Sequence, residues 1–180
     1  QFLLKEGYSN LLFVDDFSKE NKLSNFKHYK EKTIERTHFL NNLTAYPADY
    51  IIHLGARTDT TEMDYEVHRI LNLEYSKSIW HHCVENNIEL IYASSAATYG
   101  GGEHGYNDNH ATINKLKPLN PYGESKQQFD QFVLNQSTAP PKWFGLKFFN
   151  VFGPNEFHKG DMRSLVHKAY GQISEDGKVK

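Results

Sequence analysis

The sequence predicts an α/β protein built on a doubly wound parallel sheet. Short runs rich in β-branched and aromatic residues recur at 11–14, 50–54, 88–93 and 143–149, each the length of a strand. Between them lie longer stretches, 65–85 and 122–134, whose apolar residues fall at helical spacing. Such alternation covers a parallel sheet on both faces. A third observation gives the sheet a working end: Leu90-Ile-Tyr-Ala opens into Ser94, Ser95 and Thr98, as a buried strand does when its carboxyl end forms a site.

Taken in order, residues 1–7 read as the tail of a helix that stops near Gly7, a residue suited to a helix terminus. Residues 11–14 form a strand ending in Asp15 and Asp16. In a dinucleotide-binding fold a glycine fingerprint precedes such an acid by about 20 residues. That places the fingerprint before residue 1, so the chain is expected to be truncated there, and at its other end to stop soon after a helix. Residues 17–44 are polar and charged with weak periodicity and receive no assignment. Val67, Ile70, Leu71, Ile79 and Val84 supply the apolar stripe of the 65–85 helix. Gly100-Gly-Gly102 through Asn114 is a glycine-rich polar loop able to move as a cover, and Ala139-Pro-Pro141 turns the chain into its last strand.

Composition narrows the function classes. A chain of 180 residues with 38% hydrophobic and 14% aromatic residues can bury one core. A net charge of −2 and the absence of a basic run give no reason to expect nucleic acid or an anionic membrane as partner. No stretch of about 18 apolar residues appears. Cys83 is the single cysteine, which excludes an internal disulfide and points to a reducing compartment, the cytoplasm. Ten histidines invite a metal site, but His81 and His82 are adjacent rather than one turn apart and no His-Glu-x-x-His occurs; no metal is expected.

The chemistry gathers at Tyr122-Gly-Glu-Ser-Lys126. On a helix, four-residue spacing sets a phenol and an ammonium on one face, where the cation can make the phenol a usable base. The spacing alone is common in a chain with 11 tyrosines, and it gains weight from Ser95 upstream and Asn150 downstream.

Together the Ser95 strand end, Tyr122-x-x-x-Lys126 and Phe148-Phe-Asn150-Val-Phe-Gly-Pro154 resemble the extended short-chain dehydrogenase/reductase family, also described as NAD-dependent epimerases and dehydratases. Two further segments, Gly55-Ala-Arg-Thr-Asp-Thr-Thr61-Glu62 and Asn155-Glu-Phe-His158-Lys159-Gly160-Asp-Met162, narrow the resemblance to epimerases acting on an ADP-linked heptose. The resemblance implies a Rossmann-like domain over residues 1–150, lacking its first strand and glycine loop, and the start of a substrate-binding portion over 151–180.

The resemblance also implies roles. Tyr122, Lys159, Ser95 and Lys126 would be catalytic, with Lys159 a second base for the face of a keto intermediate that Tyr122 does not reach. Asp15, Asp16, Lys22, Leu54, Gly55, Ala56, Arg57, Thr58, Asn72, Lys126, Val151 and Lys159 would hold the cofactor. Ser95, Asn150 and Asp161 would contact substrate, and the substrate histidine position falls on either His167 or Lys168. Asp15 would favour NAD, yet Lys22 could neutralise a 2′-phosphate; the resemblance favours NADP. It further implies a small-molecule ADP-sugar as substrate and a homo-oligomer. Dehydratases of the family place Asp-Glu where this chain has Ala96-Ala97, which argues against elimination. Another nucleotide-sugar epimerase and an inactive cofactor-binding module remain as rivals, the intact Ser-Tyr-Lys set counting against the second.

Overall fold

The computed structural model describes residues 2–18, 20–26, 29 and 32–179. Gln1, the first residue of the expected initial helix, lies outside them. The chain divides into two compact units, one comprising Pro47–Val151 and the other Gln1–Tyr46 with Phe152–Lys180. The grouping of the first residues with the last departs from a simple 1–150 and 151–180 partition.

In the Pro47–Val151 unit, strands β3 (Tyr50–His53), β4 (Glu89–Ser95) and β5 (Trp143–Phe148) form a parallel sheet in the order β3-β4-β5. The register pairs Ile52 with Ile91 and Ser95 with Phe148. One face of the sheet packs on helices α5 (Tyr75–Glu85) and α6 (Pro121–Leu134). There the Trp80 and Trp143 rings meet edge-on at 5.4 Å and the Tyr92 ring meets Phe129 at 4.9 Å. Gly145 lies opposite Tyr92 in the register, and a methyl built on it would run into the Tyr92 ring; glycine there lets the large β4 side chain lie flat across β5. The opposite face carries Tyr50, Ile52, Phe144, Leu146 and Phe148, all exposed in this unit.

The 65–85 helix forms with an interruption. Helix α4 (Tyr65–His68) runs into a π turn (Arg69–Glu74) before α5 begins. A π turn inserts a residue and rotates the faces that follow. Ile70, expected in the apolar stripe, is consequently half exposed, whereas Asn72, Leu73, Trp80 and Cys83 are buried. The 100–114 loop is tied down at its far end. Its last residues enter a 3-10 turn (His110–Lys115), Ile113 and Leu116 pack with Tyr99, and Gln127 donates to the Ile113 and Leu116 carbonyls at 2.9 and 2.8 Å.

In the other unit, β1 (Phe13–Asp15) and β2 (Thr33–Glu35) pair in parallel, Asp15 beside Glu35. The Phe13 ring packs on Phe26 and Tyr29. Among its described residues the unassigned 17–44 stretch thus contains strand β2, helices α2 (Glu20–Leu23) and α3 (Arg36–Asn41) and the start of a 3-10 turn (Leu43–Ala45). Glu35 caps α3 by accepting from Thr37 N at 2.7 Å and His38 N at 3.1 Å, satisfying backbone donors that the first turn leaves open. Helix α7 (Leu165–Asp176) begins at Ser164 and ends at Gly177, whose φ of 71° suits a glycine helix stop.

Candidate active site

Strand β4 delivers Ser95 to the carboxyl edge of its sheet. The Ser95 hydroxyl accepts from Ala97 N at 3.1 Å and so caps the 3-10 turn Ala96–Tyr99, and the Thr98 hydroxyl donates to the Ser95 carbonyl at 2.8 Å. Helix α6 starts beside this turn. Asn120 accepts from Gly123 N at 2.8 Å as its cap, and Pro121 occupies the first turn, where its missing N–H costs nothing. A Cβ on Gly123 would lie 2.9 Å from the Ala97 carbonyl oxygen and 3.0 Å from Pro118. The glycine therefore permits the close approach of α6 to the turn that follows Ser95.

Tyr122 is half-buried, with its ring edge-on to His68 at 6.2 Å. Burial pushes the phenol above its ordinary value, and the Ser95 hydrogen bond opposes that. Lys126 is buried, and its ammonium donates to the Ala93 carbonyl at 2.8 Å. Burial pushes it down to about 8, with Asp130 acting the other way. The expected pairing of ammonium with phenol is thus replaced by a contact with the strand backbone, because the four-carbon stem reaches past Tyr122 to β4.

Asn72, turned inward by the π turn, accepts from Arg57 N at 2.7 Å and donates to the Arg57 carbonyl at 3.1 Å and to Ser125 Oγ at 3.0 Å. Its amide ties the loop after β3 to α6. In that loop Leu54, Gly55 and Thr58 are exposed and Ala56 is half-buried. Nothing lies within 4 Å of a Cβ placed on Gly55, and the buried Nε of Arg57 has no partner among the described residues. The Arg57 guanidinium reaches Asp59 at 3.2 Å and Glu62 at 3.7 Å. Asn150 and Val151 are exposed after β5. Sequence reasoning passed over Asp130, one helical turn after Lys126 and buried under the same strands; the four-residue spacing that drew attention to Tyr122 and Lys126 also reaches it.

The remaining candidates belong to the other unit. At the end of β1, Asp15 pairs with Lys22 at 2.7 Å, and Asp16 accepts from Ser18 N at 3.0 Å and faces Arg36 at 3.4 Å. Lys159 and Asp161 are exposed on a 3-10 turn (Phe157–Met162). That turn is anchored by Glu156, which is buried and accepts from Ser164 N at 2.7 Å, Gly153 N at 2.9 Å and Ser164 Oγ at 3.0 Å. These bonds, the Ser164 amide first, hold its carboxyl down at about 2. Because the folded value lies below the ordinary one, the anchor is in place above the ordinary carboxylate range and is lost as pH falls through about 2. Amide hydrogen exchange of the complete protein should show Gly153 and Ser164 protected down to that range, and Glu156→Ala should remove the protection at neutral pH. His167, whose ring meets Phe157 edge-on at 5.2 Å, and the exposed Lys168 both lie on α7.

Comparison with known proteins bears on this arrangement. The sequence pattern of the NAD dependent epimerase/dehydratase family matches residues 1–180. The chain is 43% identical to an ADP-L-glycero-D-manno-heptose-6-epimerase of Fusobacterium nucleatum, over 97% of this chain and 54% of the relative. It is 40% identical to the protein of the same name from Nitratidesulfovibrio vulgaris, over 97% and 55%. The chain thus spans about half the length of the curated relatives it matches. Among solved structures, the ADP-L-glycero-D-manno-heptose-6-epimerase of Helicobacter pylori superposes with a TM-score of 0.69 at 24% identity, covering 94% of this chain and 64% of that one. A UDP-glucuronic acid 4-epimerase from Bacillus cereus, solved with NAD, gives 0.72 at 21% identity over 98% and 58%. Both likenesses establish the Rossmann-like fold.

Proposed function

This chain belongs to the NAD dependent epimerase/dehydratase family, and on that premise we propose that the complete protein is an ADP-L-glycero-D-manno-heptose 6-epimerase. It inverts C6 of an ADP-linked heptose with NADP as cofactor, works in the cytoplasm as a homo-oligomer and supplies lipopolysaccharide core synthesis. The observation that carries the reading is the placing of Ser95 at the end of β4 beside the start of α6, which bears Tyr122 and the buried Lys126, on a chain 43% identical to an enzyme of that name.

The cofactor would supply a reversible acceptor for the hydride of C6. The open approach over Gly55 and the orphaned Nε of Arg57 fit a bound dinucleotide. Leu54, Gly55, Ala56, Arg57 and Thr58 would follow it, with Asn72, Lys126, Val151 and Lys159 contributing. Asp15 and Asp16 would face the adenosine ribose. The Lys22 ammonium already neutralises Asp15, which favours a 2′-phosphate and hence NADP.

Ser95 hydrogen-bonds the reacting oxygen of the sugar. Tyr122 exchanges the proton of the C6 hydroxyl on one face of the sugar, and Lys126 keeps positive charge beneath it. Inversion needs a proton donor on each face of the 6-keto intermediate, so Lys159 serves the second face while Asn150 and Asp161 orient the sugar. The test is incubation of the complete protein with ADP-heptose and NADP, followed by chromatographic separation of the C6 epimers. Interconversion is expected. Conversion of a UDP-hexose in place of the ADP-heptose would assign the protein to another sugar.

A further inference from the structure

Beneath the Ser95 and Tyr122 pair lies a buried polar network that the mechanism above does not use. Asp130 on α6 is 5% exposed and four residues beyond Lys126, on the same helical face. Its carboxylate accepts from the Tyr92 hydroxyl at 3.0 Å, from Ser94 Oγ at 2.6 Å and from Lys147 Nζ at 2.5 Å. Lys147 also donates to Thr98 Oγ1 at 2.8 Å, and its ammonium lies 5.4 Å from the centre of the Tyr99 ring. The Thr98 hydroxyl in turn donates to the Ser95 carbonyl. An unbroken path therefore runs from α6 through β5 to the turn that presents Ser95.

We propose that Asp130 is a positioning residue for the reaction: through Lys147 and Thr98 its carboxylate fixes the strand end bearing Ser95 against the helix bearing Tyr122, and it supplies the countercharge for Lys126. The proposal rests on the reading that Ser95, Tyr122 and Lys126 form the active site. A carboxylate this buried is tolerated only when paired and hydrogen-bonded, and three donors from two strands meet that condition. The same carboxylate pairs with Lys147 at 2.5 Å and acts on the charge of Lys126 one helical turn away, so removing Asp130 or Lys147 changes the field at Lys126.

The surroundings of Lys126 keep that change simple. On β4 it meets the Ala93 carbonyl, and the Tyr92 phenol, whose ionisation is pushed up by burial and by Asp130, donates to the Asp130 carboxylate instead. On β3 stands His53, pushed down to about 3 by burial and by the Lys126 charge and therefore neutral. Lys147 on β5 is bound to Asp130 and Thr98, and Tyr122 and Asp130 share the helix of Lys126. Asp130 is the carboxylate among these groups, and it supports the proton on Lys126.

The experiment uses the complete protein with Asp130→Asn, Lys147→Met and Lys147→Arg. Lysine 13Cε NMR follows the titration of Lys126, whose resonance is the one missing from Lys126→Met. With Asp130→Asn, kcat should fall roughly 10- to 10²-fold while KM changes little, the pattern of misplaced catalytic groups. The Lys126 titration should move from about 8 toward lower pH, by about 1 unit, the effect of losing one nearby opposite charge. Lys147→Met should also lower kcat but move the titration to higher pH, since Asp130 is left with Lys126 as its cation. Lys147→Arg, which keeps the charge and the donors, should restore most of kcat.

Unchanged kcat in Asp130→Asn, or a Lys126 titration that moves the same way in both charge-removing variants, overturns the proposal. If Asp130→Asn does not fold, as judged by its thermal transition, the Lys147 pair decides by the same criteria. The NMR titration requires no turnover, so it separates failure of this proposal from failure of the active-site reading, which active Tyr122→Phe would reveal.

Discussion

Tyr122→Phe lowers epimerisation by the complete protein about 10²- to 10⁴-fold, the contribution expected of a positioned acid or base. The ring persists and keeps its edge contact with His68 at 6.2 Å, so the fold and the α6 cap are preserved. What disappears is the phenol hydroxyl, the group that would exchange the proton. Cofactor affinity should therefore change little, and the loss should fall on kcat rather than KM. Steady-state turnover with dinucleotide binding measured in parallel checks the split. Turnover within about threefold of the parent, far short of a general acid-base contribution, would remove Tyr122 from the mechanism.

Lys159→Met lowers epimerisation by about 10² or more while sparing chemistry that needs one face of the ketone. Methionine keeps most of the side-chain bulk and deletes the ammonium. Lys159 is exposed on its turn, and Glu156, not Lys159, receives the Ser164 and Gly153 amides that hold the turn in place, so lost packing is a poor explanation for lost activity. A 6-aldehyde analogue separates the steps: one molecule is oxidised and another reduced without inversion, and the variant should retain that dismutation. Normal epimerisation by Lys159→Met would reduce the residue to a surface lysine.

The elements legible in the sequence were those whose burial follows a simple period. β4 and α6 stand within one or two residues of their expected bounds, because a continuous apolar run and an Asn-Pro start leave few alternatives. β2 was not legible. Its three residues, Thr33 to Glu35, are too few to show alternation, and Glu35 serves as the cap of the next helix. The π turn at Arg69–Glu74 was hidden for another reason: a 3.6-residue pattern carries no mark of the inserted residue, yet that residue decides whether Ile70 or Asn72 faces inward. Within the candidate site, Ser95 and Tyr122 were linked in the sequence by the family resemblance. The Asp130 network was not, since Tyr92, Ser94, Thr98 and Lys147 converge only through strand register. Glu156 read as one more acid in a polar turn, and its role depends on amides at positions 153 and 164 that meet only once the turn has closed.

The most direct test of the account follows the hydrogen at the inverted carbon. ADP-heptose carrying deuterium at C6 is incubated with the complete protein and catalytic NADP, and the epimers are separated and examined by NMR and mass spectrometry. Inversion by transient oxidation within one closed site predicts the opposite C6 epimer with deuterium still at C6. Absence of conversion, or conversion with the label lost to solvent, would contradict it.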